Sequence, residues 1–280
     1  MSYLVTGATG NVGAELVSAL VSAGQHVRAL SRAGDRRGMP PGVEVLRGDL
    51  DDPATLAGPL AGVEGLFLLP GFRDMPGILE QARLAGVRRM VLLSGGSAGS
   101  GDLTNAVTAY MARSETAVRE SGLAWAMLRP AAFMSNALRW KAAIATGDTL
   151  RLPFASVRTA TVDPFDIAAV AAAALTKDGH DQQVYLPTGP QALLPEEQVE
   201  ILARVLGRDL RFEAQPDGEA REEMSASMPA EYVDAFFDFY VAGTLDESRV
   251  RPTVEAVTGR PPRTFEQWAR NHAAEFGEQP

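Results

Sequence analysis

The stretch TGATGNVG occupies residues 6–13, directly after the apolar Tyr3, Leu4 and Val5. Gly7, Gly10 and Gly13 stand three residues apart. With 27 glycines in 280 residues such a spacing arises readily by chance, so its surroundings decide its meaning. The apolar run before it reads as a buried parallel strand. After it, NVGAELVSALVSAG puts Val12, Leu16, Val17, Leu20 and Val21 on one helical face and ends at Gly24, a capping glycine. Strand, glycine turn and helix in that order form a phosphate-binding unit. Gly7 permits the tight turn, Gly10 lets the backbone approach a pyrophosphate, and Gly13 lets the helix pack on the strand. The helix amino end, with Thr9, Asn11 and Val12 around it, then faces the negative charge.

The alternation continues downstream. HVRALSR, VEVLRGD, VEGLFLLP and RMVLLSGGS read as four more strands, with PATLAGPLAG and MPGILEQARLAG as crossover helices. LAWAML, residues 123–128, reads as a sixth. This predicts an α/β fold with a doubly wound parallel sheet of Rossmann type. Residues 1–190 are expected to form the dinucleotide-binding domain. Residues 191–280 are expected to form a smaller, mainly helical substrate lobe, with 130–154 contributing to the crevice between them.

Composition narrows the rest. A net charge of −9 and a pI near 5.0 argue against nucleic acid or anionic membrane as partners. Cysteine is absent and His26, His180 and His272 show no ligand spacing, so no metal site is expected. No apolar run approaches a membrane span and no leader is evident, which points to a soluble, cytoplasmic protein. The sequence leaves a homodimer open.

Cofactor choice turns on the end of the second strand, where an acid suits the NAD 2′-hydroxyl and a base suits a 2′-phosphate. Leu30 and Ser31 are followed by Arg32, with Arg36 and Arg37 beyond, and the nearest acid, Asp35, comes late. This favours NADP(H), with Arg32 as the main phosphate contact. Asp49 and Leu50 are placed to edge the adenine or to form a plain polar turn. Leu69, Pro70, Ser94 and Pro130, at the exits of the fourth, fifth and sixth strands, complete the expected cofactor contacts.

TGATGNVG, RGDLDD, SGLAWAMLRP, FMSN and VDPFDIAAVAAAAL resemble, in order and spacing, the NmrA-like branch of the atypical short-chain dehydrogenases. The tail GRPPRTFEQWARNHAAEF is similar to that of many actinobacterial members. The resemblance covers almost the whole chain and implies three alternatives. One is an NADPH-dependent reductase of quinone-like or polyphenolic aromatic compounds, in some members serving polyketide tailoring. Another is a regulator that senses NADP(H) without turnover, and the last is an enzyme like the nucleotide-sugar epimerases.

Ligands of open sheets lie beyond the carboxyl ends of the strands, so Ala131, Phe133, Met134 and Asn136 are candidate substrate walls, and Phe133 and Met134 equally candidate core. Asp166 reads as a helix cap. Part of the aromatic run EYVDAFFDFY is expected in the core, and Phe236 and Tyr240 are candidates to cover the pocket or a partner's helix. Many short-chain dehydrogenases pair a tyrosine with a lysine four residues later. Here Tyr3, Tyr110, Tyr185, Tyr232 and Tyr240 are followed at that spacing by Gly7, Ser114, Gly189, Phe236 and Thr244. The pair is missing. Tyr110, Arg113 and Ser94 are left as catalytic candidates: a proton donor, an orienting cation and a substrate-oxygen contact.

Overall fold

The structure, a computed structural model, describes residues 1–36 and 38–277. The first half alternates as expected: β1 (Ser2–Val5), α1 (Asn11–Ser22), β2 (His26–Ser31), β3 (Glu44–Arg47), α2 (Ala57–Leu60), β4 (Gly65–Leu68), α3 (Met75–Leu84), β5 (Arg89–Leu93), α4 (Ala106–Glu120) and β6 (Ala124–Leu128). The expected second helix is only a 3₁₀ turn, Pro53–Leu56, running into the single turn of α2. Pro59 and two glycines leave it little helical propensity.

After β6 the chain leaves the sheet for α5 (Lys141–Thr146) and β7 (Thr149–Leu152), and returns through α6 (Pro164–Thr176) to β8 (Gln183–Tyr185). Then follow α7 (Pro195–Leu206), β9 (Arg211–Ala214), α8 (Asp217–Ser225), α9 (Ala230–Tyr240), α10 (Thr253–Thr258) and α11 (Phe265–Asn271). The main sheet runs β3-β2-β1-β4-β5-β6-β8, every neighbouring pair parallel. The order reverses between β1 and β4, the point where such sheets open a crevice.

Strand residues alternate between the faces. Tyr3, Val5, Val27, Ala29, Phe67, Val91 and Leu128 pack with Leu16, Val17 and Leu20 of α1 and the alanine-rich α6. Leu4, Leu30, Leu66, Leu68, Met90 and Met127 pack on the other face with Ile78, Leu79 and Ala82 of α3 and Val118 of α4. A separate core gathers Ile144, Leu150, Leu202, Phe265, Trp268 and Phe276 around the two-stranded parallel sheet β7-β9. Not all of the C-terminal segment stays there. Val254 of α10 packs into the α1–α6 side of the main sheet.

The same region corrects the expected cap of α6. Asp163 caps it, accepting the Phe165 N–H at 2.9 Å. Asp166 is fully buried, accepts Arg260 Nη1 and the Arg263 N–H, both at 2.7 Å, and ties the C-terminal segment to α6. Both guanidinium groups also lie over the Phe165 ring.

Candidate active site

The glycine loop joins β1 to α1 at the carboxyl edge of the sheet. Gly7 has φ +60°, a conformation glycine adopts without penalty, and its carbonyl accepts the Gly10 N–H at 2.9 Å. At Gly13 a Cβ would lie 2.1 Å from the Gly7 oxygen, so α1 approaches the loop as closely as backbone allows. No side chain caps α1, which leaves its first-turn N–H groups for an anion. The loop is braced from β4: Thr6 Oγ1 accepts the Leu69 N–H at 3.1 Å, and the Leu69 side chain covers Gly7. Thr9, Gly10 and Asn11 are exposed along the open edge, whereas the Val12 side chain is buried in the core. Pro70 stays half-buried beside the loop. This capless helix end and glycine cradle suit a dinucleotide pyrophosphate.

The adenosine end is sparser than expected. Arg32 directly follows β2, is exposed, and has no ion pair or hydrogen bond among the described residues. Arg36 is committed elsewhere, donating from Nη2 to the Val43 carbonyl at 2.9 Å. Arg37 lies outside the described residues. The Asp49 carboxylate accepts the Asp51 N–H at 3.0 Å within its own turn, and Leu50 is buried against Leu30 and Leu56. Asp49 and Leu50 thus stand in a polar turn beside the strand exit.

At the exit of β5, Ser94 is buried and its hydroxyl donates to Glu115 Oε1 at 2.7 Å. Glu115, from α4, also receives Arg129 in a fork, Nε to Oε1 at 2.8 Å and Nη2 to Oε2 at 2.6 Å. Burial pushes the Glu115 carboxyl up, but the bonds from Arg129 and Ser94 outweigh it and hold it below its ordinary range. Ser94 therefore has its proton engaged, and its place is in a buried triad that locks β5, α4 and the exit of β6. Glu115 had no mark in the sequence beyond one: an arginine at the exit of a buried strand requires a carboxylate.

Tyr110 and Arg113 separate. Arg113 is exposed on the outer side of α4, while Ser114 and Glu115 turn inward. The Tyr110 ring covers Gly71 in the loop after β4, and Ser114 Oγ accepts the Gly71 N–H at 2.9 Å. Burial, and then Tyr232, push the Tyr110 hydroxyl up, which makes it a reluctant proton donor. Met111, not an ionisable side chain, lies against Gly95.

Beyond β6, Gly96 donates to the Pro130 carbonyl at 3.2 Å, and Ala131 is buried beneath the crevice floor. Phe133 is half-buried against the main core and Asn136 is exposed. Met134 is not a wall: it is buried in the core around β7-β9. Phe236 stacks on Tyr240 at 6.4 Å, and Phe154 contacts Tyr240 at 5.1 Å and Phe237 at 5.4 Å. Tyr240 donates to Glu247 Oε2 at 3.0 Å, which sets this aromatic group beside the loops after β5 and β6. Phe154 and Glu247 escaped the sequence reading. Among the described residues no cluster could hold a metal ion and no helix is long and apolar enough to cross a membrane.

The chain matches the NAD(P)H-binding family model over residues 7–178. It is 41% identical to a (4-alkanoyl-5-oxo-2,5-dihydrofuran-3-yl)methyl phosphate reductase of Streptomyces griseus, over 98% of both chains. It is 37% identical to an NAD(P)H azoreductase of Xenophilus azovorans, over 98% of this chain and 99% of that one. Its fold matches an NADPH-dependent quinone oxidoreductase of Escherichia coli, solved with NADPH, at a TM-score of 0.80 and 20% identity over 97% and 99% of the chains. A glycine cradle at the switch point of a parallel sheet and two full-length reductase relatives agree: the chain belongs to the NAD(P)H-binding family and is an NAD(P)H-dependent oxidoreductase.

Proposed function

We propose that the protein transfers a hydride from NADPH to a conjugated, electron-poor acceptor, with quinone-like and polyphenolic aromatic compounds as the class its site fits best. The observation that carries this is what faces the crevice: aromatic rings and Met111, with no tyrosine–lysine pair. Bound NADPH supplies the hydride. The chain's own residues do the rest: the loop of Gly7, Gly10 and Gly13 holds the pyrophosphate, Arg32 favours the 2′-phosphate, and Leu69 and Pro70 edge the nicotinamide half. Phe154, Phe236 and Tyr240 exclude water and present flat apolar surface.

An ordinary ketone becomes a strongly basic alkoxide, for which a donor contributes typically 10²- to 10⁴-fold. A quinone becomes a phenolate, whose conjugate acid lies near the pKa of about 10 of an ordinary phenol. The relatives fit the same class, one reducing a furanone with an alkanoyl substituent and the other an azo compound. Purified protein should oxidise NADPH with naphthoquinones or anthraquinones at least about a hundredfold faster than with simple ketones or sugars. Tyr110→Phe should slow that reaction less than about tenfold, since the Tyr110 proton is held tightly. Equal turnover of an unactivated ketone, or a thousandfold loss in the Tyr110 variant, contradicts the reading. Tight NADPH binding with no acceptor reduced would instead favour a cofactor sensor.

Cofactor preference has its own measurement. Charge-assisted hydrogen bonds contribute about 1.5 to 3 kcal/mol, so Arg32→Ala should weaken NADPH about tenfold or more and leave NADH nearly unchanged. Calorimetry that finds both cofactors weakened equally removes Arg32 from the role.

A further inference from the structure

One acid at the crevice has no part in the cofactor site or in the Ser94–Glu115–Arg129 triad. Glu247 lies between α9 and α10, and its carbonyl accepts the Ala160 N–H at 2.7 Å, which fixes its backbone. Its carboxylate accepts the Tyr240 hydroxyl at 3.0 Å and the Ala132 N–H. Its other side faces the loop after β5, where a methyl group on Gly96 would stand 3.8 Å from Oε1. The carboxyl is thus held where the exits of β5 and β6 meet α9, beyond the carboxyl ends of the strands where ligands of such sheets bind. It remains partly accessible and makes no ion pair among the described residues. Arg249 is paired with Asp246 at 3.1 Å, and Arg139 acts on Tyr240.

We propose that Glu247 is the catalytic acid that returns a proton to the reduced substrate, with Tyr240 positioning its carboxyl. This rests on the reading of the protein as a reductase of conjugated acceptors. The acceptor takes up a hydride and becomes a delocalised anion. The Glu247 O–H bond then breaks, its proton forms the new bond to the anion, and the bonding pair stays on Glu247. The resulting carboxylate is held by the Tyr240 hydroxyl and the Ala132 N–H, and water reprotonates it. Burial raises the Glu247 carboxyl above its ordinary range, although the Tyr240 and Ala132 bonds oppose that shift, so the acid form persists at higher pH than for an exposed glutamate.

The test uses the full chain with NADPH and a naphthoquinone, an azo dye and an unsaturated furanone as acceptors. Glu247→Gln should lower kcat about a hundredfold with the azo dye and the furanone, and about tenfold with the naphthoquinone, whose phenolate needs the proton least, while leaving folding and NADPH affinity as they are. Wild-type kcat should fall as pH rises through the Glu247 titration, and this limb should be missing in Glu247→Gln. Tyr240→Phe removes a donor to the charged form, so the limb should move to higher pH. A separate readout needs no turnover: infrared difference spectra of wild type against Glu247→Gln should show a protonated carboxyl band that titrates above the ordinary glutamate range. Turnover of Glu247→Gln within threefold of wild type, a limb that survives the substitution, or a band titrating in the ordinary range each overturns the proposal. If wild type reduces none of the acceptors, the function proposed above fails, and the infrared titration alone decides Glu247.

Discussion

Replacing Gly13 by alanine is expected to abolish measurable NADPH binding. The added methyl would stand 2.1 Å from the Gly7 oxygen, 2.7 Å from its carbonyl carbon and 3.0 Å from the Ala8 Cα. All three are backbone atoms, so no rotamer change relieves the contact. α1 must lift away from β1, and its first-turn N–H groups leave their positions around the loop. Overpacking of this kind costs about 1–3 kcal/mol of stability. Affinity should fall more than about a hundredfold, or about 2.8 kcal/mol at 1.4 kcal/mol per decade. Gly10→Ala is the control, because a methyl there approaches the Gly7 oxygen only to 3.3 Å. That variant should stay folded near wild-type stability and bind NADPH more weakly. Thermal melts and calorimetry distinguish the cases, and a Gly13→Ala protein that binds like wild type refutes the cradle.

Glu115→Ala should be the most destabilising single change at the site. It strands Arg129, whose side chain is only 18% exposed, without its carboxylate, and leaves Ser94 without its acceptor. Breaking a buried pair by removing one partner costs about 3–5 kcal/mol, which urea unfolding would read directly. The pH dependence follows from the same bonds. The folded-state pKa of Glu115 is depressed, so its contribution is fully present above the unfolded-state value and is lost as pH falls through the folded one. Wild type should therefore lose more stability on acidification than Glu115→Gln, which has no carboxyl to titrate. Parallel acid losses in the two proteins would show that Glu115 does not carry this term.

The main sheet was legible because its strands are buried on both faces and read as apolar runs between turns. β8 was not, since it spans three residues, the first of them exposed. β7 and β9 were equally hidden, each four residues long and paired only with the other. In the site, the glycine loop could be read because one short segment carries all its geometry. Glu115 and Glu247 could not, because 35 acidic residues offer no local mark for the few whose partners arrive from elsewhere in the chain. Arg113 misled through helical register: one residue further along α4, the chain already faces inward. The cap of α6 was within reach, since Pro164 at its first position points to Asp163 before it.

The β7-β9 pairing has a consequence for how the molecule comes to be folded. It joins Thr149 to Arg211 and Leu152 to Ala214, and the core around it waits for Phe265, Trp268 and Phe276. The strands from β1 to β6 pair over spans no longer than this one and lie earlier in the chain, so they can pair while later residues are still being made. During synthesis, Ile144, Leu150 and Leu152 gain core partners only when Val199, Leu202 and Leu206 emerge, and that core closes only when Phe265, Trp268 and Phe276 follow. In that interval the nascent chain presents a hydrophobic surface to chaperones, and the part of the molecule that matures last is the one built around β7-β9.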